Sequence, residues 1–391
     1  MSELLHGRWT ETKEALLEGL SGTKKSVMGV TLENTRKYLL ESPTAGATSA
    51  GNVATLNRVI LPVIRRVMPT VIANELVGVQ PMTGPVGQIH TLRIRYADNG
   101  DGVTAGEEAL SPFKIAEAYS GNNNQSNPKA ASTATLEGAA GKRMSIQILK
   151  QTVEAKTRKL SARWTFEAAQ DAQAQQGIDV EAEIMAALAQ EITAEIDQEI
   201  LASLAALAGS ATEVYDQGNV SGTATFVGDE HAALAVQINR VANLIAQRTR
   251  RGAGNWAVVS PFALTILQSA TTSAFARTTE GTFEAPTNTK FVGTLNNAMK
   301  IYVNTYATDS TDVLIGYKGS SESDAAAFYC PYIPLMSSGV VLDPSTFEPV
   351  VSFMTRYGYV ELSNTASSLG NAADYLGKVG LSTTYGNVKF S

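Results

Sequence analysis

A chain of 391 residues, 44% of them hydrophobic, is long enough for two or three ordinary domains with substantial cores. Only 17% of it is charged and the formal net charge is −6, which argues against strong electrostatic binding of nucleic acid, because phosphate neutralisation needs clustered Lys and Arg. One cysteine, Cys330, excludes an internal disulfide framework and a Cys-rich zinc site, and three scattered histidines (His6, His90, His231) argue against a His-based metal site.

Residues 1 to 41 are polar and partly helical, with Leu16, Leu17 and Leu20 on one side of a short helix. The small-residue stretch "SPTAGATSAGN" (42 to 52) reads as a linker. A further helical stretch follows and is broken by Pro62 and Pro69, which remove backbone donors. Beyond "GVQPMTGPVG" a strand begins, with Ile89, Leu92, Ile94 and Tyr96 including a period-2 set. Residues 97 to 141 are polar and rich in Gly, Asn, Ala and Ser. A loop of this length is uncommon inside a compact domain, so it is expected to be unstructured or to reach another surface.

The next segment is strand-like and basic. Residues 142 to 163 carry Lys142, Arg143, Lys150, Lys156, Arg158, Lys159 and Arg163 against a single acid, Glu154. Then the sign reverses: from 164 to 239 there are thirteen acids and no Lys or Arg. Here "WTFEAAQDAQAQQ" reads as one helix, Gly177 as a break and Asp179 as the N-cap of a second. The second carries Ile184, Leu188, Ile192, Ile196, Ile200 and Leu204 at four-residue spacing and stops at Gly209. It would be roughly 45 Å long. Its apolar stripe drifts around the axis by about 40° per step, so the helix must be contacted on several sides. Its carboxylates need cations, and the basic segment before it is the obvious source, from the same chain or a neighbouring copy.

An amphipathic helix over 231 to 250 follows, with its basic end at the C-terminus where the macrodipole favours it. After it come the strand "NWAVVSP", the helix "FALTILQSA" and the strands "AMKIYVNTYA", "DVLIGYKG" and "AAAFYCPYIPL", which together indicate an α/β subdomain. "PVVSFMTRYGYVEL" is one more strand. No apolar stretch is long enough to span a membrane, and the N-terminus lacks the apolar core of a secretory signal. A soluble protein made in a reducing cytoplasm is expected.

Catalytic signatures are absent. "GYKGSS" has the wrong order for a phosphate loop, and there is no G-x-S-x-G elbow, no H-E-x-x-H and no paired cysteine. The acids of the long helix come without histidine and read as a solvated or salt-bridged face. Cys330 reads as a small buried thiol and Trp164 and Trp256 as core. Arg356, in "TRYGY", reads as an ion-pair partner across an interface. Neither catalytic residues nor a cofactor is expected.

Four collinear stretches carry a resemblance. "VGVQPMTGPVG" (77 to 87), the helical run 158 to 201, "LIGYKGSSESDAAAFYCPYIPL" and "DPSTFEPVVSFMTRYGYVEL" resemble segments of the major capsid proteins of T-even-type tailed phages. The resemblance implies an α+β chain with the Hong Kong 97-type capsid fold. It divides the chain into an N-terminal arm (1–70), a connection (71–87), an extended loop (88–152) lying over a neighbouring subunit, and a peripheral domain (153–232). The last contains a spine helix, 179–208. An axial domain (233–342) and a peripheral strand with tail (343–391) would follow. The chain is shorter than the T-even type, so no extra inserted domain is expected.

The implied function is that of a structural protein forming the icosahedral head of a tailed double-stranded DNA phage. It would be made in the host cytoplasm and end in the virion. Partners would be other copies in hexamers and pentamers, with portal, scaffold, maturation protease and decoration proteins, and enclosed DNA held by weak contacts. Contacts between copies are expected from Lys142, Arg143, Lys150, Lys156, Arg158, Lys159, Glu181, Glu183, Glu191, Glu195, Asp197, Glu199 and Arg356. The family's protease often cuts after Leu/Ile-x-Glu, which fits Glu41, or alternatively Glu18, and would make residues to about 41 a propeptide. An encapsulin-like compartment protein and an α/β enzyme or binding protein are the alternative readings.

Overall fold

The computed structural model describes residues 22–41, 73–107, 118–138, 140–176, 179–216, 227–270, 275–277, 290–296, 298–308, 311–322, 324–362 and 372–382, with isolated positions at 9, 13, 14, 17 and 109. In chain order the elements are helix α1 (Gly22–Glu41), helix α2 (Ala73–Leu76), strands β1 (Gly78–Val79) and β2 (Val86–Tyr96), and helix α3 (Thr133–Leu136). Strands β3 (Met144–Glu154) and β4 (Lys156–Arg163) lead into helices α4 (Phe166–Gln176) and α5 (Val180–Leu207). Strand β5 (Glu213–Tyr215), helix α6 (Val227–Thr249), strand β6 (Trp256–Val259) and helix α7 (Pro261–Ser269) come next. Strands β7 (Phe275–Arg277), β8 (Lys290–Leu295), β9 (Met299–Val303), β10 (Val313–Gly316), β11 (Ala327–Ser337), β12 (Val341–Leu342), β13 (Pro349–Glu361) and β14 (Leu376–Leu381) complete the chain. Helices and strands are both abundant, and the chain is α+β.

Two compact units are present. The first comprises residues 1–87, 153–203 and 327–360, and the second 88–152, 204–326 and 361–391. The first unit holds a five-stranded sheet running β1-β11-β13-β12, with β4 antiparallel to β13. Strand β11 is almost wholly buried, and α1 lies along it. Asn34 of α1 fixes that contact: its Nδ2 donates to the carbonyls of Met82 at 2.7 Å and Tyr332 at 3.0 Å. Helix α5 starts where the sequence places its cap. Asp179 Oδ1 accepts from the N–H groups of Glu181 (3.1 Å) and Ala182 (3.4 Å). It ends one residue before the Ala208–Gly209 step, where Gly209 takes φ +69°. The middle of α5 buries Ile192, Thr193, Ala194, Ile196 and Asp197, a wide arc, whereas no residue of Val180–Ala187 is buried.

In the second unit a seven-stranded mixed sheet runs β5-β14-β10-β6-β9-β8-β7. Helices α6 and α7 close its core through Leu234, Ile238, Val241, Ile245, Ile266 and Leu267. Helix α7 begins at Ser260, whose hydroxyl accepts from Ala263 N–H while Pro261 occupies the first turn. The segment expected as axial is therefore divided between sheets. Strands up to β10 stay in the seven-stranded sheet, β11 joins the five-stranded one, and β14 from the expected tail returns between β5 and β10. Pairing is non-local, and an apolar run carries no label for the sheet it enters.

The stretch 97–141 is not without structure. Tyr96, Val103, Ala109 and Tyr119 form a small buried cluster with Ile94 against it, and the Tyr96 and Tyr119 rings stand 4.6 Å apart. Strands β2 and β3 form a two-stranded ribbon leading to this cluster. Its few apolar residues are too sparse to show a period, which is why the sequence reads as loop.

Candidate functional site

Strand β4 alternates. Arg158, Leu160 and Ala162 are part-buried on one face, while Lys159, Ser161 and Arg163 are exposed on the other. Antiparallel pairing sets Arg158 opposite Thr355 and Lys156 opposite Tyr357. Arg158 thereby reaches the acids of α5. Its Nη1 donates to Glu195 Oε2 at 2.6 Å, its Nη2 to Glu199 Oε2 at 2.5 Å, and its Nε to the Tyr357 hydroxyl at 2.6 Å. Tyr357 in turn donates to Glu199 Oε2, closing a ring of charge-assisted bonds. Glu195 and Glu199 are four residues apart, so without a shared cation they would repel.

Burial alone would raise the Glu199 carboxyl. The bonds from Arg158 and Tyr357 outweigh it, and the pKa is lowered. Burial likewise opposes charge on Arg158, yet its bonds to Glu199 and Tyr357 hold its pKa above the ordinary value. Tyr357 is pushed up to about 12, first by burial and then by its bond to Glu199.

Other expected contact residues are dispersed. Arg143 pairs with Asp98 at 3.2 Å, and Lys142 donates to Asn123 and stands 5.3 Å over the Tyr119 ring. Lys150, Lys156, Lys159, Glu183 and Glu191 are exposed, and Glu181 is part-buried in the first turn of α5. Asp197 is fully buried and its charge helps raise the pKa of Tyr329, after burial itself and Tyr357. Arg356 lies on the face of β13 opposite Tyr357, with its guanidinium 5.3 Å over the Tyr332 ring. Glu41 is the last residue of α1, and Glu18 lies outside the described residues.

Sequence reasoning singled out Arg356 and missed Tyr357 beside it. Strand alternation within "TRYGY" was the available signal: Thr355 and Tyr357 are buried, Arg356 between them is not. It also missed Asn255, whose Oδ1 accepts from Lys318 N–H at 3.0 Å and whose Nδ2 donates to the Lys318 carbonyl at 2.5 Å. That pair, with Arg251 on Asp324 at 2.7 Å and Tyr375 donating to the same carboxylate at 3.3 Å, makes residues 316–322 and Asp324 a structural corner.

The ribbon carries exposed apolar residues. Leu92, Met144, Ile146 and Ile148 are each more than half exposed. A two-stranded ribbon with such a face is marginal unless something covers it. Among the described residues no group of His, Cys, Asp or Glu is placed to hold a metal ion, and no helix is long and apolar enough to cross a membrane.

The sequence profile described as "Major capsid protein Gp23" matches residues 53–139 and 128–381. The chain belongs to the Gp23 major capsid protein family. The major capsid protein of Enterobacteria phage T4 is 30% identical over 406 aligned positions, covering 80% of this chain and 76% of the relative. That of Vibrio phage KVP40 is 29% identical over 431, covering 86% and 83%. A solved structure titled "The capsid of Myoviridae Phage XM1" overlaps 79% of this chain and 91% of its own at TM-score 0.45 and 11% identity. Membership in this family makes the chain a tailed-phage capsid protein that self-assembles into a shell and places it in the virion capsid. The encapsulin-like and enzymatic readings are not favoured.

Proposed function

We propose that copies of this chain, built on the Hong Kong 97-type plan, join as hexamers and pentamers into an icosahedral head. The ribbon β2–β3 would be the extended loop laid across a neighbouring copy. The observation that carries this reading is its uncovered apolar face: Ile146 and Ile148 are 67% and 66% exposed on a two-stranded element. The exposed bases Lys150 and Lys159 and acids Glu183 and Glu191 would pair between copies, adding register more than strength. Asp197 and the Arg158 cluster would stiffen α5 as a spine. Removal of the arm after Glu41, by a maturation protease, and contacts with portal, scaffold and decoration proteins complete the proposal. The enclosed DNA would be held weakly, in keeping with a net charge of −6. Synthesis would take place in the host cytoplasm.

Electron microscopy of the purified chain tests it. Hollow particles or rings are expected from the wild type. Ile146→Asp with Ile148→Asp should leave folded, unassembled protein, and assembly of that variant at the wild-type concentration would defeat the reading.

A further inference from the structure

Helices α6 and α7 pack together in the second unit within the apolar cluster that holds Leu234, Ala235, Ile266 and Leu267, and a polar contact closes one end of their junction. His231, in the second turn of α6, lies 2.5 Å by its Nδ1 from the hydroxyl of Ser269, the last residue of α7. The single proton of that hydroxyl goes to the Ile266 carbonyl at 3.1 Å, so Nδ1 is the donor to Ser269 and Nε2 is the atom that takes up a proton. The imidazole is only 3% exposed, whereas Ser269 is exposed. A buried base is thereby tied to a helix end that water reaches.

Charging the imidazole at this depth is opposed. Burial lowers the pKa of His231 from the ordinary 6.5, and the attraction of Glu230, which raises it, is the smaller effect. Glu230 is itself buried and, among the described residues, is the charge that acts on the imidazole. Strand β5 brings Glu213 and Tyr215 to α6, β14 brings Lys378, and the short helix Ala372–Tyr375 brings Asp374 and Tyr375. Glu213 is taken by Arg240 at 3.1 Å, and Tyr215 donates to the Glu230 carbonyl at 3.2 Å. Helix α7 has no titratable side chain. An imidazolium regains water where Ser269 meets solvent, once the end of α7 gives way.

We propose that the α6–α7 junction is a pH-sensitive clasp, in which uptake of a proton by His231 loosens the end of α7 from α6. The clasp belongs to the folded chain and does not depend on the shell-forming reading. A histidine with a lowered folded-state pKa contributes stability above 6.5, and the contribution is lost as pH falls from 6.5 through the lowered value. Glu199 is lowered from 4.5, so the two windows are separate.

Hydrogen exchange of the unassembled chain, read by mass spectrometry, decides. Exchange at the imidazole C2 position should give His231 a midpoint below 6.5. With intrinsic rates allowed for, the amides of α7 should open at least about threefold more at about pH 5.5 than at about pH 7.5, and the change should follow the His231 midpoint. His231→Asn keeps a donor for Ser269 and cannot titrate, so in it the difference should vanish. A His231 midpoint at or above 6.5, or protection of α7 unchanged across that range, overturns the clasp. So does acid loosening that persists in His231→Asn. If that variant does not fold, the wild type alone decides: loosening of α7 at a pH away from the His231 midpoint refutes the proposal.

Discussion

Arg158 and Glu199 are joined twice, directly at 2.5 Å and again through the Tyr357 hydroxyl, which accepts from one and donates to the other. Three elements distant in sequence, β4, α5 and β13, are locked by this ring of bonds. Arg158→Met keeps the aliphatic stem and removes the charge, leaving Glu195 and Glu199 facing each other. Both carboxylates are more than two-fifths exposed, so solvent screening limits the loss to roughly 1 kcal/mol. Tyr357→Phe should cost about 0.5–1.5 kcal/mol. In chemical denaturation of the unassembled chain the double variant should lose less than the sum of the two, because both remove one network. Strict additivity would show that the hydroxyl and the guanidinium act separately.

The same ring sets a pH dependence. Glu199 has a folded-state pKa below its ordinary 4.5, so its contribution is present above that value and is lost as pH falls through the lowered one. Tyr357 is raised from 10.0 to about 12, so its contribution is present below 10 and is lost as pH rises through about 12. Melting temperature against pH should therefore fall at both ends. Glu199→Gln should flatten the acid limb, and Tyr357→Phe the alkaline limb. An unchanged acid limb in Glu199→Gln would assign acid unfolding to other carboxylates.

How much of this was legible depends on how local the signal is. Helix α5, its Asp179 cap and its Gly209 stop are written in spacing and in two residues, and the structure returns them nearly residue for residue. The excess of bases in 142–163 against the acids of 164–239 announces a charge contact, yet only strand alternation and the β4–β13 register decide that Arg158 turns toward α5 and Lys159 away. The cluster of Tyr96 with Tyr119 was hidden, since its other members, Val103 and Ala109, stand too far apart in sequence to show a period. The sheet that receives β11 was hidden as well, because its partners β1 and β13 lie on either side of it in sequence and an apolar strand fits either sheet.

The corner at 316–324 should be intolerant of small changes. Gly316 stands opposite Trp256, and a Cβ there would come within 2.1 Å of the indole. Gly316→Ala must shift the ring or the strand and should cost about 1–3 kcal/mol, as overpacking does. Asn255→Ala strips both bonds from the Lys318 backbone and should cost a similar ~1–3 kcal/mol. Differential scanning calorimetry of the two variants should show lowered melting temperatures without a change in particle geometry among those that still assemble.

Asn34 makes the N-terminal helix part of the first unit rather than a loose arm. Its amide donates to two carbonyls, of Met82 and Tyr332, and Val27, Met28, Thr31 and Leu32 are buried along the same helix. Asn34→Ala leaves the buried Met82 carbonyl and the part-buried Tyr332 carbonyl without that donor and should weaken the helix by about 1–3 kcal/mol. The rest of the unit does not depend on that amide, so the loss should be local: limited proteolysis should cut within Gly22–Glu41 faster than in the wild type, while the fragment from β1 onward stays resistant. Because Glu41 ends this helix, a protease acting after it needs the last turn to open, and the same substitution should speed that cut. Equal cutting rates in wild type and variant would show that the buried apolar residues hold α1 without the amide.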